Sequence, residues 1–348
     1  MKSVFDFNSS NVFIIAEAGV NCNGKLDLAL QLVDVAAEAG ADAVKFQTFK
    51  AEQVVTEKGE MALYQKKNMG KVMSQRDMLR KLELREEFYD PLMKRCTERN
   101  ITFLSTPHGG KESVDFLESL NVALYKVGSG DLTNDILLFA LAKTKKPIIL
   151  SSGMATMAEV KHAIQFLKNK KSGPLQIFHC TTNYPCPPEE VNMAAMVTMM
   201  KTLDIPVGYS DHTLGIQAAI MAAALGAKLY ECHFTLDKSL PGPDHKASAD
   251  PIELKKRIQA IRLVETYMGN AKKVPTKNEI NCMVKTVRKS VVASHDIPKD
   301  HTIVFDDLEA KRPGTGISPT QYMRFIGRRT NKTIHPDQLL TFSDFYKK

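Results

Sequence analysis

The chain has 348 residues, 43% hydrophobic and 25% charged, a balance that belongs to a globular protein and excludes a disordered one. No apolar run reaches the ~18 residues that a membrane helix needs. The formal charge of +8 is uneven: residues 270–348 hold 15 Lys and Arg against 8 Asp and Glu, or +7, which leaves 32 against 31, or +1, for the rest. A basic tail on a near-neutral body suits nucleic acid or a small anionic substrate. Its basic residues are interspersed with acids and form no helix stripe, which favours the small anion and argues against nucleic acid. The six cysteines, Cys22, Cys96, Cys180, Cys186, Cys232 and Cys282, show no C-x-x-C and no regular spacing. They read as reduced thiols rather than a disulfide frame or a zinc site.

The start, "MKSVFDFNSSN", turns polar at once and has no apolar signal core, so the expected location is cytoplasmic. Short apolar runs then alternate with longer amphipathic stretches. The runs cover 12–17, 43–47, 101–105, 123–129, 147–153, 175–181, 206–211 and 227–234, and helical patterns such as Leu26–Ala39 and Arg85–Asn100 lie between them. Continuous apolar strands alternating with helices predict a parallel sheet covered by helices. Eight such units match the count of a (β/α)8 TIM barrel and its usual length of about 250 residues. A doubly wound open sheet is the alternative, but "EAGVNCNG" after the first run lacks dinucleotide-turn spacing. A last helix over Ile252–Met268 ends at Gly269, a glycine suited to a helix C-terminus. The expected barrel domain is therefore 1–269, followed by a linker over 270–285 rich in Lys, Asn and Pro. Residues 286–348 read as a small β-rich domain with an internal repeat. "DIPKDHTIVFDDL" (296–308) aligns with "TIHPDQLLTFSDF" (333–345), sharing Ile297/Ile334, Asp300/Asp337, Phe305/Phe342 and Asp307/Asp344. So small a core is marginal alone and is expected to dock on something.

In a barrel the chemistry sits at the C-terminal ends of the strands. Those ends read in order Glu17; Lys45 and Gln47; Ser105 and Thr106; "YKVGSGD" with Lys126, Ser129 and Asp131; Ser151 and Ser152; "HCTTNYP"; "YSDHT"; and "ECHFT". A lysine in a buried strand is costly unless it is paired or meets an anion. Lys45 and Lys126, with Thr106, Ser129, Ser151 and Ser210 around them, describe a phosphate or carboxylate site. The plainer reading pairs each lysine with a structural acid such as Glu17 or Asp131. His212 and His233 end adjacent strands, about 4.8 Å apart, and can share one ion, with Asp211 and Glu231 nearby. Two protein ligands with open positions suit a loosely held Mn²⁺ or Mg²⁺ better than a structural zinc. "PGPDHKAS" (241–248) reads equally as a rigid surface turn or as a polar clamp for a sugar, with Asp244 and His245 at its tip.

The ordered motifs "IIAEAGVNCNG", "DAVKFQT", "FLSTP", "YKVGSGD", "IILSSGM", "HCTTNYP", "GYSDHT", "ECHFTLDKSLPGPDHKAS" and "KRPGTGIS" carry a resemblance. End to end, the chain resembles the bacterial sialic acid synthases, which include the N-acetylneuraminate and legionaminate synthases. The resemblance implies a TIM barrel with a C-terminal SAF (antifreeze-like) domain. It implies a transferase that condenses phosphoenolpyruvate with an N-acylated hexosamine, with N-acetylmannosamine as the expected acceptor, giving a nine-carbon 2-keto acid and phosphate by C–O cleavage. The alternative acceptor is 2,4-diacetamido-2,4,6-trideoxymannose, giving N,N'-diacetyllegionaminate. Carried over by motif, Lys45, Thr106, Lys126, Ser129, Ser151, Thr182 and Ser210 would hold phosphoenolpyruvate. Glu17, Gln47, Tyr184 and Asp244 would contact the sugar. His212 and His233 would hold a divalent metal, Mn²⁺ first, then Mg²⁺ or Co²⁺. Lys45 and Lys126 would stabilise phosphate charge, and Glu17 or Asp131 would handle the water. The resemblance also implies a homodimer in which the SAF domain of one chain caps the barrel of the other and brings Arg312 to the partner's sugar site.

Several positions depart from the pattern of many members. Cys22 stands where a histidine is common, and Cys232 where a lysine or arginine is. His108 replaces a phenylalanine after "STP". Asp131 replaces a glutamate after "GSG", and Asn183 stands where a glutamate precedes Tyr-Pro. Two other readings compete. A Schiff-base lyase expects a strand-six lysine, which "IFHCTT" lacks. A non-catalytic sugar-binding barrel has no need of Lys45, Lys126, His212 and His233 together.

Overall fold

The computed structural model describes residues 11–62, 65, 66, 68 and 73–347. The polar start read for location falls almost wholly outside them. Among the described residues no helix is long and apolar enough to cross a membrane. The chain divides after Gly269 into two compact units.

The first unit is the (β/α)8 barrel. Its strands are β1 Phe13–Gly19, β2 Ala43–Thr48, β3 Thr102–Pro107, β4 Tyr125–Lys126, β5 Ile148–Ser151, β6 Leu175–Cys180, β7 Val207–Asp211 and β8 Leu229–His233. They run in the order β3-β2-β1-β8-β7-β6-β5-β4 with every ladder parallel, so β1 lies between β2 and β8. β3 and β4 lie side by side and complete the ring. An open doubly wound sheet is thereby excluded. β4 pairs over only two residues because the chain turns into a 3₁₀ segment at Ser129–Asp131.

Both faces of each strand are buried, so hydrophobicity alone hides the period of two. Packing reveals it. Ile14, Ala16 and Ala18 of β1 pack toward the helices, as do Val44, Phe46, Tyr230 and Cys232. Ile15, Ala43, Leu104, Leu124, Ile149, Phe178 and Leu229 fill the barrel interior as an apolar plug. The next inward residues toward the C-terminal ends are polar, and they begin the site.

The helices follow local signals. Leu26–Ala39 ends on Gly40 at φ 88°, a left-handed cap that glycine adopts without strain. Pro251–Met268 starts with a capping box in which Asp250 accepts from the Glu253 backbone N–H and Glu253 accepts from that of Asp250.

The second unit is a small β-rich domain, built on an antiparallel pair, β9 Ser290–Ala293 and β10 Leu308–Lys311. Its core is Val291, Ala293, Ile297, Ile303, Phe325, Ile334, Leu340 and Phe345. The repeat is structural as well as sequential. Ile297 and Ile334 exchange backbone hydrogen bonds of 2.8 Å each way. Asp300 and Asp337 both adopt positive φ, 69° and 64°. Asp307 and Asp344 close matching 3₁₀ turns, each accepting a backbone N–H at 2.7 Å from Val304 and Thr341.

The stretch read as linker, 270–285, differs from a free tether at its end. Glu279–Met283 and Val284–Val287 are helical, and the Lys285 carbonyl accepts from the Gly314 N–H at 2.8 Å. The cause is a capping box inside the polar run, where Thr276 and Glu279 exchange bonds of 2.6 and 3.2 Å.

Candidate active site

At the C-terminal mouth of the barrel the inward residues of the strands meet around a cavity of about 220 Å³. Register places Glu17 beside Lys45 and beside His233, Gln47 beside Thr106, and Ser210 beside both Cys180 and Glu231. Glu17, Lys45, Gln47, Thr106, Lys126, Ser129, Ser151, Thr182, Tyr184, Ser210, His212, His233 and Asp244 all line the cavity. Residues as far apart in the chain as Glu17 and Asp244 are thus gathered at one end of the sheet.

The floor is a buried charge network. Lys45 Nζ lies 2.5 Å from Glu17, 3.1 Å from Thr106 Oγ1 and 3.6 Å from Glu231. Lys126 Nζ donates to Ser151 Oγ at 2.6 Å and lies 3.6 Å from the other oxygen of Glu231. Ser210 donates to Glu231 at 3.0 Å. The structural pairing of Lys45 with Glu17 is therefore real, yet both still face the cavity. Lys126 has no contact with Asp131 of the kind expected. Glu231 bridges the two lysines, a central role beyond that of an acid near the histidines. The usable signal was parity, since Glu231 stands two residues before His233 and must share its face.

Burial opposes charge on Glu231, but Lys126 and then Lys45 overcome it and hold the carboxyl at about 2. Burial pushes Glu17 up to about 7, against the pull of Lys45. Burial lowers Lys126 below the ordinary lysine range, with Glu231 resisting. The negative charge of the floor thus rests on Glu231, and Glu17 is the carboxyl closest to exchanging a proton near neutrality.

The phosphate-type donors cluster beside Lys126. The Gly153 N–H donates to Ser129 Oγ at 3.1 Å. A Cβ at Gly153 would lie 2.1 Å from Thr182 Oγ1 and 2.6 Å from Ser129 Oγ, so only glycine lets the loop after β5 approach these hydroxyls.

His212 and His233 have ring centroids 5.6 Å apart, and Tyr184 packs against both at 4.2 and 5.6 Å. His212 Nδ1 donates to the Thr181 carbonyl at 2.6 Å, which leaves Nε2 as the unprotonated nitrogen. His233 Nδ1 is buried with no hydrogen-bond partner among the described residues. Burial pushes both imidazoles toward the neutral form, His233 to about 3. Two neutral imidazoles with free nitrogens fit a divalent cation. No group of three or more His, Cys, Asp or Glu among the described residues is arranged to hold a metal. The remaining positions would fall to water or substrate oxygen.

Asp211, though next to His212 in the chain, faces away from the two imidazoles. One residue out of phase with His212, it points outward and accepts from Thr213 N and Oγ1 at 2.8 Å, Tyr230 OH at 2.7 Å and Arg257 at 3.2 Å. Arg257 also donates to the Thr213 carbonyl at 2.6 Å and is 4% exposed. Arg257→Ala leaves this buried carboxylate without its cation and is expected to cost about 3 kcal/mol of stability. Denaturant unfolding with unchanged slope would measure it, and an unaltered midpoint would contradict the assignment.

Asp131 is also placed differently. It does not line the cavity. Its carboxylate takes His108 Nδ1 at 2.9 Å and Asn134 Nδ2 at 3.1 Å. In the 241–248 loop, Asp244 lines the cavity and burial raises it to about 6. His245 is fully buried, with Nδ1 2.6 Å from Thr235 Oγ1, and anchors the loop from inside. Of the unusual positions, Cys22 and Cys232 pack outward in the helix–sheet core, and Asn183 donates to Glu190 at 2.8 Å outside the cavity. His108 alone of these lines the cavity. Arg312 lies in the second unit, exposed and with no partner among the described residues.

A buried two-lysine floor at the mouth of a (β/α)8 barrel, two imidazoles with free nitrogens beside it and a separate β-rich unit define a class: an anion-binding (β/α)8 barrel with an appended small domain. Comparison with known proteins agrees. Residues 32–273 match the NeuB family and residues 288–345 match the SAF domain. The chain belongs to the NeuB family, and it is a sialic acid synthase-type transferase. It is 45% identical over 331 residues to the N,N'-diacetyllegionaminic acid synthase of Legionella pneumophila, covering 94% of this chain and 92% of that protein. Over 329 residues it is also 45% identical to the Campylobacter jejuni protein of the same name, covering 94% of this chain and 98% of that one. The N-acetylneuraminate-9-phosphate synthase of Homo sapiens is 37% identical, covering 94% of this chain and 91% of that protein. Among solved structures, the N-acetylneuraminic acid synthetase of Leptospira borgpetersenii in complex with citrate aligns with a TM-score of 0.70 at 34% identity, covering 78% of this chain and 90% of that one.

Proposed function

We propose that the protein condenses phosphoenolpyruvate with 2,4-diacetamido-2,4,6-trideoxymannose to give N,N'-diacetyllegionaminate and phosphate. The observation that carries the acceptor is the composition of the cavity wall. Besides the charged floor, the lining includes an apolar group, Val20, Met78, Leu79 and Leu82, beside Gln47 and Gln65, and the only lysines or arginines among the described lining residues are Lys45 and Lys126, both on the floor. An apolar wall suits a 6-deoxy sugar with two acetamido methyls. Among the described lining residues it offers no cation to a second phosphate, which argues against a phosphorylated acceptor. The 45% identity to two legionaminic acid synthases supports the same choice over N-acetylmannosamine, the acceptor expected from the motifs alone.

In this reading Lys126, Ser151, Ser129 and Thr182 hold the phosphate, and Lys45, Thr106 and Ser210 hold the carboxylate end of phosphoenolpyruvate. Gln47, Tyr184 and Asp244 orient the sugar, with Glu17 between sugar and floor. Carbon 3 of phosphoenolpyruvate attacks the aldehyde carbon. Water adds at carbon 2, and the C–O bond to phosphate breaks. The lysines stabilise charge on phosphate as it departs. A divalent ion held by His212 and His233, Mn²⁺ in preference to Mg²⁺ or Co²⁺, would supply Lewis-acid polarisation of the aldehyde. Arg312 is free to complete the sugar site of a second protomer in a homodimer.

Phosphate release from phosphoenolpyruvate with Mn²⁺ tests the proposal. The expected result is release with the diacetamido sugar and at least about tenfold lower kcat/KM with N-acetylmannosamine, a difference of ~1.4 kcal/mol. Equal or better turnover of N-acetylmannosamine would make the product N-acetylneuraminate and overturn the acceptor.

A further inference from the structure

The one unusual residue that faces the cavity, His108, is held as a base would be. It follows β3, and its backbone N–H bonds to the carbonyls of Thr48 and Thr106 at 3.0 and 3.1 Å. Its Nδ1 lies 2.9 Å from Asp131 Oδ2. Asp131 is itself fixed, because Asn134 Nδ2 donates to its other oxygen at 3.1 Å. The ring lies against Gly128, where an added Cβ would meet Cε1 at 2.6 Å. The imidazole is therefore clamped by a carboxylate on one side and a bare glycine backbone on the other. With Nδ1–H donating to Asp131, the proton-accepting nitrogen is Nε2, which has no hydrogen-bond partner among the described residues. The neighbouring lining residues are Thr106, Gly128, Ser129 and Gly130, the end of the cavity beside the phosphate donors.

We propose that His108 is a catalytic base for the water that adds to carbon 2, and that Asp131 is a positioning residue acting through it. This rests on the reaction proposed above. The water oxygen bonds to carbon 2 as one of its protons passes to His108 Nε2, and Asp131 steadies the imidazolium. The tetrahedral intermediate then forms the ketone as the C–O bond to phosphate breaks. The proton on His108 goes to the departing phosphate. The second water proton leaves the carbon 2 hydroxyl and ends on the new sugar hydroxyl made from the aldehyde oxygen. No oxidant or further reactant is needed. The pairing explains why Asp131, expected to handle the water itself, is turned from the cavity: the histidine spans the gap that the short carboxylate leaves.

The test uses the full chain with Mn²⁺ and whichever acceptor the wild type turns over. If the wild type releases phosphate with neither sugar, the proposed function fails and His108 is not the cause. With an active wild type, H108F and H108Q are expected to lower kcat by about 10²-fold while KM for phosphoenolpyruvate changes less than about threefold. D131N is expected to lose about tenfold in kcat in the wild-type background and nothing further in H108F. Added imidazole is expected to restore turnover to H108G and not to D131N. Circular dichroism and phosphoenolpyruvate binding by calorimetry confirm that each variant is folded and loaded. An H108F enzyme with wild-type kcat overturns the proposal. So does a loss confined to KM for phosphoenolpyruvate, which would make His108 a phosphate ligand, and so does a folded H108G that imidazole fails to rescue.

Discussion

Replacing Glu231 with glutamine is expected to destabilise the protein by about 3 kcal/mol, because it removes the anion that two buried lysines share. Lys45 keeps Glu17 at 2.5 Å, but Lys126 is left with neutral partners: the Ser151 hydroxyl, the Val127 carbonyl at 3.3 Å and the ring of Phe178, whose centroid is 5.3 Å away. An ammonium 2% exposed cannot recover that loss from water. Phosphoenolpyruvate, as an anion, would restore the missing charge. Its addition is therefore expected to raise the melting temperature of the variant more than that of the wild type, since a ligand that binds only the folded state stabilises by its occupancy. Differential scanning fluorimetry across a phosphoenolpyruvate titration reads both effects. A variant as stable as the wild type, with the same ligand response, would show that Glu231 is not the shared counter-charge.

Replacing His233 with alanine is expected to abolish divalent-ion binding and to lower phosphate release by at least about 10³-fold, the several kcal/mol that Lewis-acid activation contributes. The change is expected to leave the barrel folded, because His233 Nδ1 makes no hydrogen bond that the fold would lose. Calorimetric titration of the chelator-treated protein with Mn²⁺ gives a readout independent of turnover. Wild type is expected to bind and regain activity, and the variant to do neither. Full turnover by the variant in metal-free buffer would end the metal assignment.

Most of the barrel was legible because each strand run was bounded by turn residues and followed by a helical pattern. The SAF repeat was legible for a different reason. Ile297/Ile334 and Asp307/Asp344 recur at equal spacing, and the fold uses them identically, as a mutual backbone pair and as turn-closing carboxylates. The capping box at Thr276 and Glu279 was missed because a Lys- and Asn-rich run masks a helix start. Asp211 and Glu231 were treated alike as acids near histidines. The period of two separates them: Glu231 shares a face with His233, and Asp211 lies one step off the face of His212.

The sequence by itself therefore determined the fold class, the strand ends and the residue types gathered there, since these depend on local pattern and on alternation along a strand. Only the tertiary structure decided which charges meet. Glu231 on β8 reaches Lys45 on β2 and Lys126 on β4, strands that are not its neighbours in the sheet. That meeting exists because closing the sheet into a barrel points inward residues at one another across its axis. The same closure sets His108 against Asp131, a contact that no spacing along the chain encodes.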